Sequence, residues 1–251
     1  MFCFRHSGLG RVDRFIILTR RYGFMRKSEL ICLGIIFLSF VIGILMYPQM
    51  PEQMASHWNI AGEVDGYMPR FWGLFLMPIV SVAVLIIFVV MPMIDPMRKN
   101  IDKFRSSFDM FIIFILAFLF YLYVITLLWN TGMRFNLMQP LAPAFGVLFF
   151  VCGMLIENAK RNWSIGIRTP WTMSDEKVWT KTHKLGGKLF KGIGLIAFLG
   201  LFFPAYAIFF IMLPVILIAI FSVVYSYIEY SKTGKAQEAK SIKRQGARKK
   251  K

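Results

Sequence analysis

Residues 192–228 form a run of 37 positions without a single charged side chain. A helix of that length would measure about 55 Å at ~1.5 Å per residue, while about 20 apolar residues already cross a ~30 Å hydrocarbon layer. One crossing is excluded. Pro204 supplies the break, because proline lacks a backbone donor and pushes the residue before it out of helical geometry. With Lys188 and Lys191 snorkelling to the headgroups, the run divides into spans near 186–203 and 205–228. Apolar windows at 30–47, 71–94, 110–129 and 140–156 bring the crossings to six. The expected fold is an all-α polytopic membrane protein with six transmembrane helices. Composition agrees, since 57% apolar and 17% charged residues in 251 do not make a soluble surface.

A net charge of +17 would suggest a nucleic-acid partner if the charges were evenly spread. They are not. Of 30 Lys and Arg residues, 28 fall before residue 30, in 95–109, in 160–191 and from 232 onward, leaving Arg70 and Arg134 for the alternate segments. The positive-inside rule then places both termini in the cytosol of a multi-pass plasma-membrane protein, with the 48–70 loop outside. No direct nucleic-acid contact is expected, and the Lys-rich tail suits anionic inner-leaflet lipid, so membrane lipid is the first partner.

The organisation that follows is a basic cytosolic arm (1–29), a first helical hairpin (30–94) with an external cap (48–70), a four-helix region (95–228) with a cytosolic loop (157–188), and a basic tail (229–251). Leu45, Met46 and Tyr47 are too large for a signal-peptidase site, so the first span reads as an uncleaved anchor. Met25, followed by Arg26, Lys27 and Ser28, reads as a natural start, which makes residues 1–24 an extension that is disordered or lies on lipid. Cys3, Cys32 and Cys152 are too scattered for a metal knuckle or a disulfide framework, and no metal or other cofactor is expected.

The spans carry no carboxylate, histidine or basic residue in their interiors: Glu29, Asp95, Asp109, Glu157 and Glu229 all fall at span ends. That speaks against a charge relay and leaves a carrier for neutral or lipidic cargo as the alternative function, with Pro78, Pro143 and Pro214 as broken-helix positions or simple kinks. Function otherwise has to reside in the two long loops.

In the external loop, Pro48 and Pro51 interrupt the helix, and Gly62 and Gly66 supply turns on either side of Asp65. His57 with Asp65 makes a carboxylate-supported imidazole that binds metal or senses pH, or else His57 and Trp58 pack to fix the cap. Trp58, Tyr67, Phe71 and Trp72 also fit an interfacial aromatic belt. Glu52, Glu63 and Asp65 against Arg70 make the loop acidic, which suits a cationic peptide.

In the cytosolic loop, Gly166 and Pro170 enforce a turn, Ser174 is positioned as an N-cap, and Val178, Trp179, Thr182, His183 and Gly186 share one helical face. That helix either lies on the inner leaflet with Trp179 among the headgroups, or presents Arg168, Trp171, Trp179 and His183 to a protein partner. His57 and His183 are expected on opposite sides of the membrane, so they share no active site. No catalytic residue is assigned.

Pro48, Pro51, His57, Trp58, Asn59, Gly62, Asp65, Gly66 and Tyr67 together resemble a small domain of unknown function that precedes the SdpI region in related proteins. Gly166, Arg168, Thr169, Pro170, Trp171, Ser174, Trp179 and His183 resemble the signature of the SdpI family itself, membrane immunity and signalling proteins that protect bacteria from a sporulation-delay peptide toxin. The resemblance implies a non-enzymatic, toxin-neutralising membrane protein. Its external motif (Pro51, His57, Trp58, Asn59, Gly62, Asp65, Tyr67) faces the secreted peptide, and its cytosolic motif (the eight residues from Gly166 to His183) docks a transcriptional repressor.

Overall fold

The computed structural model describes residues 25–59 and 61–248, with side-chain surroundings through residue 233. The expectation for residues 1–24 and for the charged side chains of the tail lies outside this range. Among the described residues, six helices are long and apolar enough to cross a membrane: α1 (Lys27–Met46), α2 (Arg70–Ile94), α3 (Arg105–Asn130), α4 (Met138–Asn158), α5 (Glu176–Ala197) and α6 (Ala207–Arg248). Single helical turns occur elsewhere, and two strands, β1 (Gln53–Trp58) and β2 (Val64–Pro69), form an antiparallel hairpin between α1 and α2.

The break at the final apolar run falls where proline requires it. Phe203 leaves helical geometry (φ −127°, ψ 69°) and Pro204 opens a 3₁₀ turn leading into α6. Two boundaries differ from the sequence reading. The fifth span begins ten residues before the expected 186, because Asp175 rather than Ser174 caps α5: its carboxylate accepts from the Lys177 and Val178 N–H groups. Ser174 instead donates its hydroxyl to the Trp171 carbonyl, closing the preceding turn Pro170–Ser174. The amphipathic segment is thus the first half of a membrane helix and not a separate helix lying on the leaflet. At the other end, α6 runs past the expected 228 into the basic tail as far as Arg248, through Gly234 and Gly246, because no proline follows Pro214 to end it.

The helices pack as two trios. One is α1, α2 and α3, the other α4, α5 and α6, and α3 against α4 joins them. The tightest seam is α4 on α5, where glycines meet in pairs. A Cβ at Gly153 would lie 2.6 Å from the Gly187 carbonyl oxygen, and one at Gly146 would lie 2.7 Å from that of Gly194. The reverse contacts are as close, 2.7 Å for Gly187 on Gly153 and 2.6 Å for Gly194 on Gly146. Both pairs are spaced by seven residues, two helical turns, so one stripe of each helix is bare backbone and the axes approach accordingly.

Candidate functional site

The connections sort to the two ends of the bundle. At one end lie the hairpin and the α3–α4 loop; at the other lie the α2–α3 connection, the segment from Ala159 to Asp175 and the exit of α6.

At the hairpin end, Asn59 builds the turn. Its backbone pairs with Glu63 and Gly62, its side-chain oxygen accepts from the Glu63 N–H (3.0 Å), and Gly62 takes the left-handed φ of +83° that a Cβ would oppose. The register slips on both sides of His57, which pairs with Gly66 while Ala55 pairs with Tyr67 and Trp58 with Val64. Asp65 is therefore the extra residue of β2, and the bulge turns its carboxylate toward the ring: His57 Nδ1 lies 2.5 Å from Asp65 Oδ1. Gly66 must lack a side chain, since a Cβ there would come within 2.9 Å of the His57 Cβ. The sequence pairing of His57 with Asp65 thus takes physical form as an exposed ion-pair-ready couple, its side chains 71% and 44% exposed. Among the described residues no group of three or more His, Cys, Asp or Glu side chains gathers to hold a metal.

The hairpin does not stand free. Asn130, at the last turn of α3, accepts from the Ala55 N–H (2.8 Å) and donates to the Ala55 carbonyl (3.1 Å), acting as an extra rung on β1. Trp58 meets Trp129 edge to face at 5.6 Å, and the Met54 side chain is buried against Gly73 at the start of α2. Sequence reading passed over Asn130; a lone amide at the end of an apolar helix, facing a strand with unpaired backbone groups, is the signal that could have found it. Tyr67 and His57 remain exposed on the outer face.

At the opposite end the expected helical face exists, but protein covers it. Val178, Trp179, Thr182, His183 and Gly186 are buried together, and the Trp179 and His183 rings stack at 3.8 Å and 15°. Trp179 donates its indole N–H to the Ala159 carbonyl (2.8 Å). His183 Nδ1 bonds the Trp179 carbonyl (2.9 Å), and its Nε2 accepts the Ile167 N–H (2.9 Å), which defines a neutral ring with the proton on Nδ1. Gly166, at φ +117°, passes directly over that Nε2, where a Cβ has no room. The headgroup position expected for Trp179, and the exposure that docking through Trp179 and His183 requires, are both overturned: each is 1% exposed. The physical reason is that the 159–167 strap lies across the aromatic face of α5 and uses its polar atoms.

The rest of the signature divides similarly. Thr169 caps the turn Pro170–Ser174 through the Thr172 N–H (3.1 Å) and shares a hydrogen bond with Ser226 of α6 (3.0 Å). Trp171, half-buried, meets Tyr227 of α6 edge to face at 5.2 Å. Arg168 is exposed and donates to the Trp163 carbonyl, while Pro170 and Ser174 are exposed beside it.

The strap itself is held by Asn162, which the sequence reading missed, and by Asp95, which it placed only as a carboxylate at a span end. Buried Asn162 donates to the Lys160 and Ile165 carbonyls and accepts from the Ser164 and Ile165 N–H groups. Asp95, at the end of α2 and 4% exposed, accepts from the Ser164 hydroxyl (2.6 Å) and the Trp163 N–H (3.0 Å) through one oxygen and from the Met97 N–H (2.6 Å) through the other. An Asn-x-Ser turn and a carboxylate at the end of an apolar span were the available signals. His57 and His183 stand at opposite ends of the bundle, so no catalytic pair forms between them.

A six-helix membrane protein with a β-hairpin cap at one end and a strapped aromatic face at the other is the class this architecture defines. The family model described as the SdpI/YfhL protein family matches residues 158–226, and Domain of unknown function (DUF1648) matches residues 34–82. The first match takes in the strap, α5 and the first half of α6, and the second lies ahead of it, over most of α1, the hairpin and the first half of α2. The chain is 27% identical over 207 residues to the Immunity protein SdpI of Bacillus subtilis (strain 168), covering 82% of this chain and 97% of that protein. No solved structure matches the chain.

Proposed function

We propose that this chain is a membrane immunity protein that makes its host resistant to a secreted antimicrobial peptide, with both termini in the cytosol and the hairpin outside. The observation that carries the reading is the likeness to Immunity protein SdpI, which extends over 97% of that protein and takes in both loops. The hairpin supplies the peptide-facing surface: His57, Asp65 and Tyr67 are exposed on it, and Glu52 and Glu63 add negative charge for a cationic ligand. Pro51, Trp58, Asn59 and Gly62 shape that surface, Asn59 and Gly62 through the turn and Trp58 through Trp129.

A route to the far end is built in. β2 runs directly into α2 at Pro69, and α2 ends at Asp95, whose carboxylate holds the strap. A peptide that shifts the hairpin therefore acts on the far end through one helix. There Arg168, Pro170, Ser174 and the exposed edge of Trp171 form the docking surface for a repressor, while Gly166, Thr169, Trp179 and His183 support it from beneath.

Expression in a toxin-sensitive strain, with survival counted after exposure to candidate peptides, tests the reading. The unaltered chain is expected to protect, His57→Ala and Asp65→Ala to lose protection at unchanged membrane abundance, and Arg168→Ala to keep protection while losing capture of the repressor. Full sensitivity of cells carrying the unaltered chain to every candidate peptide would sink the immunity assignment.

A further inference from the structure

The side of α5 away from its buried aromatic face carries Lys181, Lys184 and Lys188, spaced by three and four residues. Together with Leu185, and with Tyr225 of α6, they line a groove of about 290 Å³ between the two helices. Lys181 is tied to Glu229 (2.6 Å), and that same carboxylate, buried at the foot of the groove, also binds Lys232 (2.8 Å). Lys184 and Lys188 are exposed and have no carboxylate within ion-pair distance among the described residues. Positive charge in the groove is thus only partly balanced.

Depth decides what can balance it. On α5 the last charged residue before the uncharged run is Lys191, and on α6 the first after it is Glu229, so the groove stands where the apolar spans end. Tyr225, Tyr227 and Tyr230 of α6 lie at the same level, as interfacial tyrosines do. Toward the bilayer interior, exposed Leu195 follows Lys188 two turns along the same face of α5, and exposed Phe221 stacks on Tyr225 of α6. A small soluble anion meets the ammonium groups only. A phospholipid with an anionic headgroup meets both the lysines and the apolar wall below them.

We propose that the α5–α6 groove is a binding site for a phospholipid of net negative headgroup, its phosphate between Lys184 and Lys188 and its acyl chains along Leu195 and Phe221. The Lys181–Glu229 pair closes the groove on the water side and fixes the helix spacing that the headgroup fits. The site is independent of any peptide toxin.

The full-length chain, purified and loaded with an equal mixture of phosphatidylglycerol and phosphatidylcholine, is examined by native mass spectrometry. Retention of phosphatidylglycerol over phosphatidylcholine is expected, falling by roughly tenfold or more in Lys184→Gln/Lys188→Gln. The arginine pair Lys184→Arg/Lys188→Arg should keep it, as should the charge-matched pair Lys99→Gln/Lys103→Gln in the α2–α3 connection. Equal loss in both glutamine pairs would mean diffuse attraction only and would overturn the site. So would displacement of the lipid by millimolar inorganic phosphate, or by an acidic peptide with no lipid retained.

Discussion

Asp95 and Ser164, 69 residues apart, are joined by a 2.6 Å hydrogen bond between a buried carboxylate and a hydroxyl, and the same oxygen accepts the Trp163 N–H. The end of the second helix is thereby fastened to the segment that precedes the family signature. Asp95→Ala would leave these donors without their acceptor, at a cost of about 2–3 kcal/mol. A lower melting temperature in detergent, together with faster proteolysis within 160–168, is the expected result; unchanged proteolysis would show that the strap is held without Asp95.

The glycine seam of α4 and α5 predicts a sharp contrast among glycine substitutions. Gly153→Ala and Gly187→Ala place a methyl against the facing carbonyl and should cost ~1–3 kcal/mol by forcing the helices apart. Gly34→Ala and Gly192→Ala, where nothing lies within 4 Å of the new Cβ, should leave stability the same or raise it by roughly 0.5–1 kcal/mol. Thermal unfolding of the four variants in one detergent gives the comparison.

Asn130 should control the hairpin without touching its exposed face. Asn130→Ala removes both bonds to Ala55, about 1–2 kcal/mol of local stability, and amide exchange in β1 should rise while exchange in α5 does not change. If the hairpin relays peptide binding, the same variant weakens protection although His57 and Asp65 are intact.

His183→Phe keeps the stack on Trp179 but leaves the Ile167 N–H unpaired and removes the side-chain bond to the Trp179 carbonyl, which keeps its helical backbone partner. A loss of about 1–3 kcal/mol is expected from those groups, with His183→Ala worse because it also empties the stack. Were phenylalanine fully tolerated, the ring's packing and not its hydrogen bonds would hold the strap.

The proposed orientation is open to labelling. In a background with Cys3, Cys32 and Cys152 replaced, Ala61→Cys is expected to react with an impermeant maleimide added to intact cells, and Ser174→Cys only after lysis. Reaction of Ser174→Cys from outside and of Ala61→Cys only after lysis would reverse the functional assignment of the two ends.

Six crossings, the break at Pro204 and the shared face of Val178, Trp179, Thr182, His183 and Gly186 are all legible in the sequence. These are local quantities: transfer of a side chain out of water depends on that side chain, and a helix's faces follow from its repeat. The pairing of His57 with Asp65 was legible for the same reason, being a contact across one short turn. What covers each face was not. Whether Trp179 meets headgroups, a repressor or the 159–167 strap depends on residues far along the chain, among them Asp95, Ala159 and Ile167, and on glycine seams that bring α4 against α5. Hydropathy measures the gain from leaving water and is nearly indifferent to the partner found afterward; only close packing and directional hydrogen bonds distinguish one partner from another, and those exist only once the helices have assembled.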